Sequence, residues 1–319
     1  MLFDSTSECR RGSVFGPALF AAYVSPVADV ISEHRVKYHQ YADDTQLRLS
    51  MRADNTAAGL AVLAACTADV RQWYMQNGLQ LNPDKSEALV IGTTNQLHAT
   101  TSPVTTVSVA GVDLPVADEL KVLGVVLDKR LSLNSHATSV ARACNYHTWA
   151  IRHIGHLLTT DLAVTLDYCN SVLYGAPAGS IQKLQRVQNT AARITITLQT
   201  TRREPAQPLL KLLHWLPVRQ RIQYKLATLT YKIRHTTTPS CLSRHIQSRQ
   251  SARQLRSSSK PLLCKPTTRT LFADRAFLCS ALAVWNFLPA DIVDCTSLAA
   301  FRTRLKTYLF RVAFRHCQH

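Results

Sequence analysis

The chain has 319 residues, is 46% hydrophobic and carries a formal net charge of +17. That length accommodates two domains and that apolar fraction can fill packed cores, which excludes a wholly disordered chain. No run of about eighteen apolar residues occurs, and residues 1–5 lack a basic and an apolar signal region, so a soluble, intracellular protein without a membrane anchor is expected.

In chain order, Arg11, Gly12, Ser13, Val14, Phe15, Gly16 and Pro17 make a tight approach to a helix. Leu19, Phe20, Tyr23 and Val27 give that helix one apolar face. Residues 36–49 alternate β-branched, aromatic and polar side chains around Asp43 and Asp44, which predicts a hairpin with the aspartates near its turn. A long helix is predicted from Asp54 or Asn55 to Asn77-Gly78, because Leu60, Leu63, Thr67, Val70 and Tyr74 recur at helical spacing between two capping signals. The turn Asn82-Pro83-Asp84-Lys85 leads to a strand over 88–91. A second hairpin turns at Ala110-Gly111, and another strand runs over 121–127. Strands mixed with two helices indicate an α+β unit over residues 1–128.

From Ser135 onward the period becomes helical, first through Val140, Cys144, His147, Ile151, Ile154 and Leu158. Further apolar faces follow at Leu184, Val187, Ala191 and Ile194, at Val218, Ile222, Leu229 and Ile233, and at Leu298, Phe301, Leu305, Tyr308 and Leu309. This organisation predicts a helical region over 129–235, a Ser/Thr/Arg-rich linker over 236–270 and a C-terminal helical segment over 271–319. Nine cysteines without any Cys-x-x-Cys pair argue against disulfides and against a zinc ribbon. His147, His153 and His156 read as helix-surface histidines.

Charge is divided unevenly along the chain. Residues 1–134 carry 11 Lys and Arg against 14 Asp and Glu, a net of −3; residues 135–319 carry 26 against 6, a net of +20. A basic half with so few carboxylates predicts a polyanionic partner, since each cation set against a phosphate releases condensed counterions.

Two adjacent carboxylates near a hairpin turn repel each other unless a cation binds them. Their hard oxygens suit Mg²⁺, as in sites where two such ions about 4 Å apart serve nucleotidyl transfer. On its own, an Asp-Asp pair is also an ordinary polar turn. Its surroundings sharpen it: Gln40-Tyr41-Ala42-Asp43-Asp44-Thr45-Gln46-Leu47 resembles the Tyr-Ala-Asp-Asp motif of reverse transcriptases of non-LTR retrotransposons, of the jockey-like and LINE type. Residues 11–20 resemble the family's Gln-Gly-Ser-Val-Leu-Gly-Pro-Leu-Leu-Phe motif, 79–87 the next palm motif, and 120–128 the primer-grip strand. Residues 166–175, 184–193, 213–218 and 283–289 are similar to downstream parts of the same elements' polyprotein, where Trp215 and Trp285 read as apolar anchors.

The resemblance implies a partial right-hand polymerase palm followed by a basic, thumb-like helical region. Asp43 and Asp44 become catalytic metal ligands for Mg²⁺, and Arg11, Gly12, Ser13, Tyr41, Lys85 and Gly124 contact substrate or template. RNA template, DNA primer or target DNA, and deoxynucleoside triphosphates are the implied partners, with a nuclear location possible for the intact element. The family's third metal-binding aspartate, its fingers and nucleotide-binding residues do not precede the Gly-Ser motif here. Asp4 lies too close to that motif to replace the missing aspartate. Arg11 stands where the family has glutamine, and the stretch from Asp161 to Asp167 is shorter than the family pattern. A chain catalytically incomplete by itself is therefore expected, with a non-catalytic nucleic-acid-binding remnant as the alternative.

Overall fold

In the computed structural model, which describes residues 16–98, 103–154, 164–196, 205–249 and 262–315, helices and short antiparallel hairpins alternate first and helices follow. The architecture is α+β, and the chain divides into two units: residues 1–120 with 128–130, and residues 121–127 with 131–319.

The first unit opens with α1 (Gly16–Val24) and α2 (Val27–Glu33). The expected single apolar face is broken at Pro26, whose ring cannot continue a helix and whose nitrogen offers no donor. Leu19 and Tyr23 are consequently exposed, at 61% and 52%, while Val24, Val27 and Ile31 turn inward. Hairpin β1 (Lys37–Tyr41) and β2 (Asp44–Arg48) comes next. Helix α3 (Thr56–Gln76) then packs on α2. Both its ends are locally encoded. The Asn55 side chain accepts from the Ala58 amide at 3.4 Å, and at the other end the Gly78 amide donates to Met75 and the Leu79 amide to Tyr74, with Gly78 at φ 68°. This is the paired hydrogen-bond closure that a left-handed glycine permits after a helix. Val27, Ile31, Val36, Cys66 and Val70 form the core, against which Leu47 and Leu49 of the hairpin region pack.

A short helix, α4 (Thr94–His98), precedes hairpin β3 (Thr106–Val109) and β4 (Val112–Pro115). Its two-residue turn places both Ala110 and Gly111 at positive φ, the geometry that matches strand twist. The turn is held by α3: the Ala110 amide donates to Thr67 Oγ1 at 3.1 Å, and Arg71 donates to the Ala110 carbonyl at 2.8 Å.

Two strand expectations need correction. Residues 88–91 form no strand, only one parallel bridge from Ala88 to Val116, because no ladder continues beyond that residue. The stretch 121–127 is not one strand but parts of two, β5 (Glu119–Val122) and β6 (Val125–Asp128). Leu123 at φ 45° and Gly124 at φ 82° reverse the chain between them. A Cβ on Gly124 would stand 3.0 Å from the Tyr168 ring, whose hydroxyl donates to the Leu123 carbonyl at 2.8 Å. Gly124→Ala should therefore destabilise the second unit by about 1–3 kcal/mol, through left-handed strain and displacement of Tyr168. Urea unfolding checks this; an unchanged midpoint would mean that the turn needs no glycine.

The second unit is helical from α5 (Asn134–Ile154) through α6 (Ala178–Ile196), α7 (Ala206–Leu212), α8 (Val218–Thr236) and α9 (Ser240–Ser243). It ends with α10 (Leu271–Arg275), α11 (Phe277–Phe287), α12 (Ala290–Val293) and α13 (Leu298–Phe314). Helix α8 is central: beyond Val218, Ile222 and Ile233 it buries Leu226, Ala227, Thr228, Thr230 and Tyr231, so more than one face is covered. Asp167 accepts a two-armed ion pair from Arg221, which anchors α8 to the segment before Asn170. Within the linker stretch 236–270, Leu263 is buried in the same core and exchanges two backbone hydrogen bonds with the Asn286 side chain. Residues 250–261 lie outside the described residues.

His136, on α5, is 1% exposed; its Nδ1 receives the Val126 amide at 3.5 Å and its Nε2 has no partner among the described residues. Burial holds its pKa below the usual histidine value. Of the three histidines read as surface residues, His147 is half-buried, the side chain of His153 is not described, and His156 lies outside the described residues.

Candidate active site and nucleic-acid interface

The hairpin β1–β2 positions the acidic pair. Its register sets Tyr41 opposite Asp44, leaving Ala42 and Asp43 as the two-residue turn, with Ala42 at φ 52°. Successive side chains on a strand point to opposite faces, so the pairs Tyr41–Asp44, His39–Gln46 and Lys37–Arg48 share one face. Cross-strand Cβ atoms in such pairs are about 5 Å apart. The opposite face carries Tyr38–Leu47 and Gln40–Thr45, and Leu47 joins the core. Core packing of that face fixes the register and turns the Asp44 face outward, since a one-residue slip would exchange the faces.

Asp43 and Asp44 are exposed, and neither is engaged in an ion pair or a side-chain hydrogen bond among the described residues. Three other acids of this unit are held in ion pairs. Asp54 pairs with Arg52, Asp69 with His34 and Asp118 with Lys129. The Lys129 ammonium holds the Asp118 carboxyl below its ordinary value, and the Arg52 guanidinium does the same for Asp54. The hairpin thus presents two adjacent, unneutralised carboxylates of hard-oxygen character, a donor set that fits a divalent cation such as Mg²⁺. Among the described residues no group of three His, Cys, Asp or Glu side chains is placed to hold a metal. Behind the pair, Gln40 Nε2 and Thr45 Oγ1 are buried without partners among the described residues, and a buried polar atom left unpaired costs about 1–3 kcal/mol.

Lys85 closes a 3-10 turn over Pro83–Lys85 and is exposed. The Asn82 side chain accepts from the Asp84 amide at 3.0 Å, and the Lys85 amide donates to the Asn82 carbonyl at 3.3 Å, so the lysine springs from a shaped turn. Tyr41, Asp43, Asp44 and Lys85 belong to the first unit; Gly124 belongs to the second, where its role in the β5–β6 turn accounts for its lack of a side chain. Arg11, Gly12 and Ser13 lie outside the described residues.

The second unit holds a surface that no single motif announced. A groove of about 320 Å³ between α5 and α6 is lined by Arg142, Lys183 and Arg186 among uncharged residues. The signal was available: neither helix contains an Asp or Glu.

Over residues 3–127 the chain matches the model of the reverse transcriptase (RNA-dependent DNA polymerase) family. It is similar to two curated Drosophila melanogaster proteins. The "Probable RNA-directed DNA polymerase from transposon BS" is 29% identical over 208 residues, covering 57% of this chain and 21% of that protein. The "Probable RNA-directed DNA polymerase from transposon X-element" is 26% identical over 199 residues, covering 58% and 21%. The chain therefore spans about a fifth of the length of these relatives. No solved structure matches it. Among the described residues no helix is long and apolar enough to cross a membrane.

Proposed function

We propose that this chain is part of a retrotransposon RNA-directed DNA polymerase in which Asp43 and Asp44 ligate Mg²⁺ for nucleotidyl transfer, and that the chain by itself does not complete the reaction. The observation that carries the reading is the β1–β2 hairpin, whose packed inner face turns outward two exposed carboxylates, unpaired among the described residues, within the segment that matches the reverse transcriptase model. Bound there, Mg²⁺ would activate the attacking hydroxyl and stabilise the leaving pyrophosphate. Tyr41, opposite Asp44, offers an exposed ring beside the reacting groups, and Lys85 offers a cation for nucleotide phosphates. Arg11, Gly12, Ser13 and Gly124 contact template or primer in this reading. RNA template, DNA primer or target DNA and deoxynucleoside triphosphates are the partners, in the nucleus for the intact element. Residues 1–128 act as the partial palm, 129–235 as the thumb-like region and 271–319 as a C-terminal segment beyond the linker 236–270.

Two ligands alone leave the clamp on attacking and leaving oxygens incomplete. Losing one preorganised electrostatic contributor costs about 10²–10³ in rate, and loss of nucleotide positioning compounds it. The purified chain should show no Mg²⁺-dependent extension of a DNA primer on an RNA template. Template-dependent extension that disappears in Asp43→Asn would overturn the incompleteness and retain the metal assignment.

The second reading, a nucleic-acid-binding remnant, is favoured by a different observation. The net charge of +20 over residues 135–319 gives the helical unit a polyanion-seeking surface whether or not catalysis occurs.

A further inference from the structure

Helices α5 and α6 pack side by side, tied by a short hydrogen bond between Ser180 Oγ and Asn134 Oδ1 and by Lys183 Nζ donating to Thr138 Oγ1 at 3.1 Å. On α5, Thr138, Arg142 and Asn145 fall at helical spacing along one stripe; on α6, Lys183, Arg186 and Thr190 do the same. Both stripes line the groove of about 320 Å³. Arg142, Lys183 and Arg186 are exposed, and none forms an ion pair among the described residues. Carboxylates are few in this half of the chain, 6 Asp and Glu against 26 Lys and Arg over residues 135–319. The two helices contain no carboxylate, Asp167 is committed to Arg221, and Asp274 to Lys265.

Three cations concentrated in one groove repel one another, an arrangement that an anionic ligand relieves. Asn145 between them offers an amide donor, a side chain that accompanies arginine and lysine on phosphate oxygens, whereas the Thr138 and Thr190 hydroxyls already donate to the Asn134 and Arg186 carbonyls. A stripe of seven helical residues rises about 10 Å, room for adjacent phosphates of one strand rather than for a single small anion. No aromatic side chain on which bases could stack is among the residues lining the groove, which points to the backbone and away from sequence reading.

We infer that the α5–α6 groove binds the phosphodiester backbone of a nucleic acid strand, with Arg142, Lys183 and Arg186 each engaging a phosphate and without base specificity. This rests on the nucleic-acid partner of the proposed function but not on the metal site. Its test is therefore run without Mg²⁺ or nucleotides, so that its failure is distinct from a failure of the Asp43–Asp44 assignment.

The experiment measures binding of the full chain to fluorescent 20-nucleotide single-stranded RNA and DNA across a salt series. Three phosphate contacts contribute roughly 2–3 to the slope of log affinity against log salt. Combined Arg142→Gln, Lys183→Gln and Arg186→Gln should flatten the slope by that amount and weaken binding about tenfold or more at low salt. Lys183→Arg, which keeps the charge, should retain binding. A control with the same charge change, Arg302→Gln, Lys306→Gln and Arg311→Gln on the exposed side of α13, should keep the slope near that of the unmodified chain. If circular dichroism shows the triple variant unfolded, Arg142→Gln alone carries the test, with a slope change of about 1. An unchanged slope in the groove variant, an equal loss in the control, or more than a tenfold preference between RNA and DNA of random sequence would overturn the inference.

Discussion

Trp285→Ala is expected to remove about 3–5 kcal/mol from the stability of the second unit, the range for truncating a fully buried large aromatic. Trp285 is 0% exposed and stacks on Phe301 at 5.8 Å between ring centroids, with Phe301 stacked on Tyr231 at 4.3 Å and Tyr231 on His235 at 3.9 Å. The Arg234 guanidinium lies 5.0 Å from the Trp285 ring, and burial lowers its pKa. The Tyr231 hydroxyl donates to the Cys295 carbonyl at 2.9 Å, closing the layer onto the segment before α13. This column joins α8, α11 and α13, so a void at Trp285 is felt by all three. With domain stabilities of about 5–15 kcal/mol, such a loss is a large share of the total. Phe287, on the same helix but 74% exposed, supplies the contrast: Phe287→Ala should stay within about 0.5 kcal/mol. Urea unfolding of both variants checks the pair, and a Trp285→Ala loss under about 1 kcal/mol would show that the column is not a stabilising layer.

The elements legible in the sequence are those whose limits are set by neighbouring residues. Helix α3 could be bounded because Asn55 caps it and Asn77-Gly78 stops it, both through local hydrogen bonds. The β3–β4 turn was legible because Ala110-Gly111 contains the glycine that a two-residue turn favours. Elsewhere the deciding contact lay far away in the chain. A strand over 88–91 needs a continuing partner and meets one only at Ala88. The β5–β6 reversal uses Leu123, a γ-branched residue that rarely adopts positive φ, and is held by Tyr168, 45 residues away. Pro26 interrupts an apolar stripe that reads as continuous when residues are taken at helical spacing alone.

The candidate sites divide in the same way. The acidic pair sits in consecutive residues with a recognisable surrounding motif, and the hairpin around it follows from strict alternation. The α5–α6 groove joins residues more than forty positions apart, and neither stripe is unusual until the helices are laid side by side. What the sequence offered was negative evidence, the missing carboxylates, which becomes a site only once packing concentrates the cations.

The second large effect concerns the metal. Replacing both aspartates by asparagine, Asp43→Asn with Asp44→Asn, removes the whole negative charge of the hairpin turn while keeping side-chain size, so divalent-cation binding there should be abolished with little change in stability. Both residues are exposed and unpaired among the described residues, so their replacement orphans none of those. Mn²⁺ serves as the probe, because it accepts the same hard oxygen donors as Mg²⁺ and broadens nearby nuclear magnetic resonance signals. The most direct measurement is a Mn²⁺ titration of the isotope-labelled chain followed by backbone amide spectra. The account predicts that the amides from Tyr41 to Thr45 broaden first, and that this broadening is absent from the doubly substituted protein. Broadening centred elsewhere, or persisting at the hairpin without the two carboxylates, would contradict it.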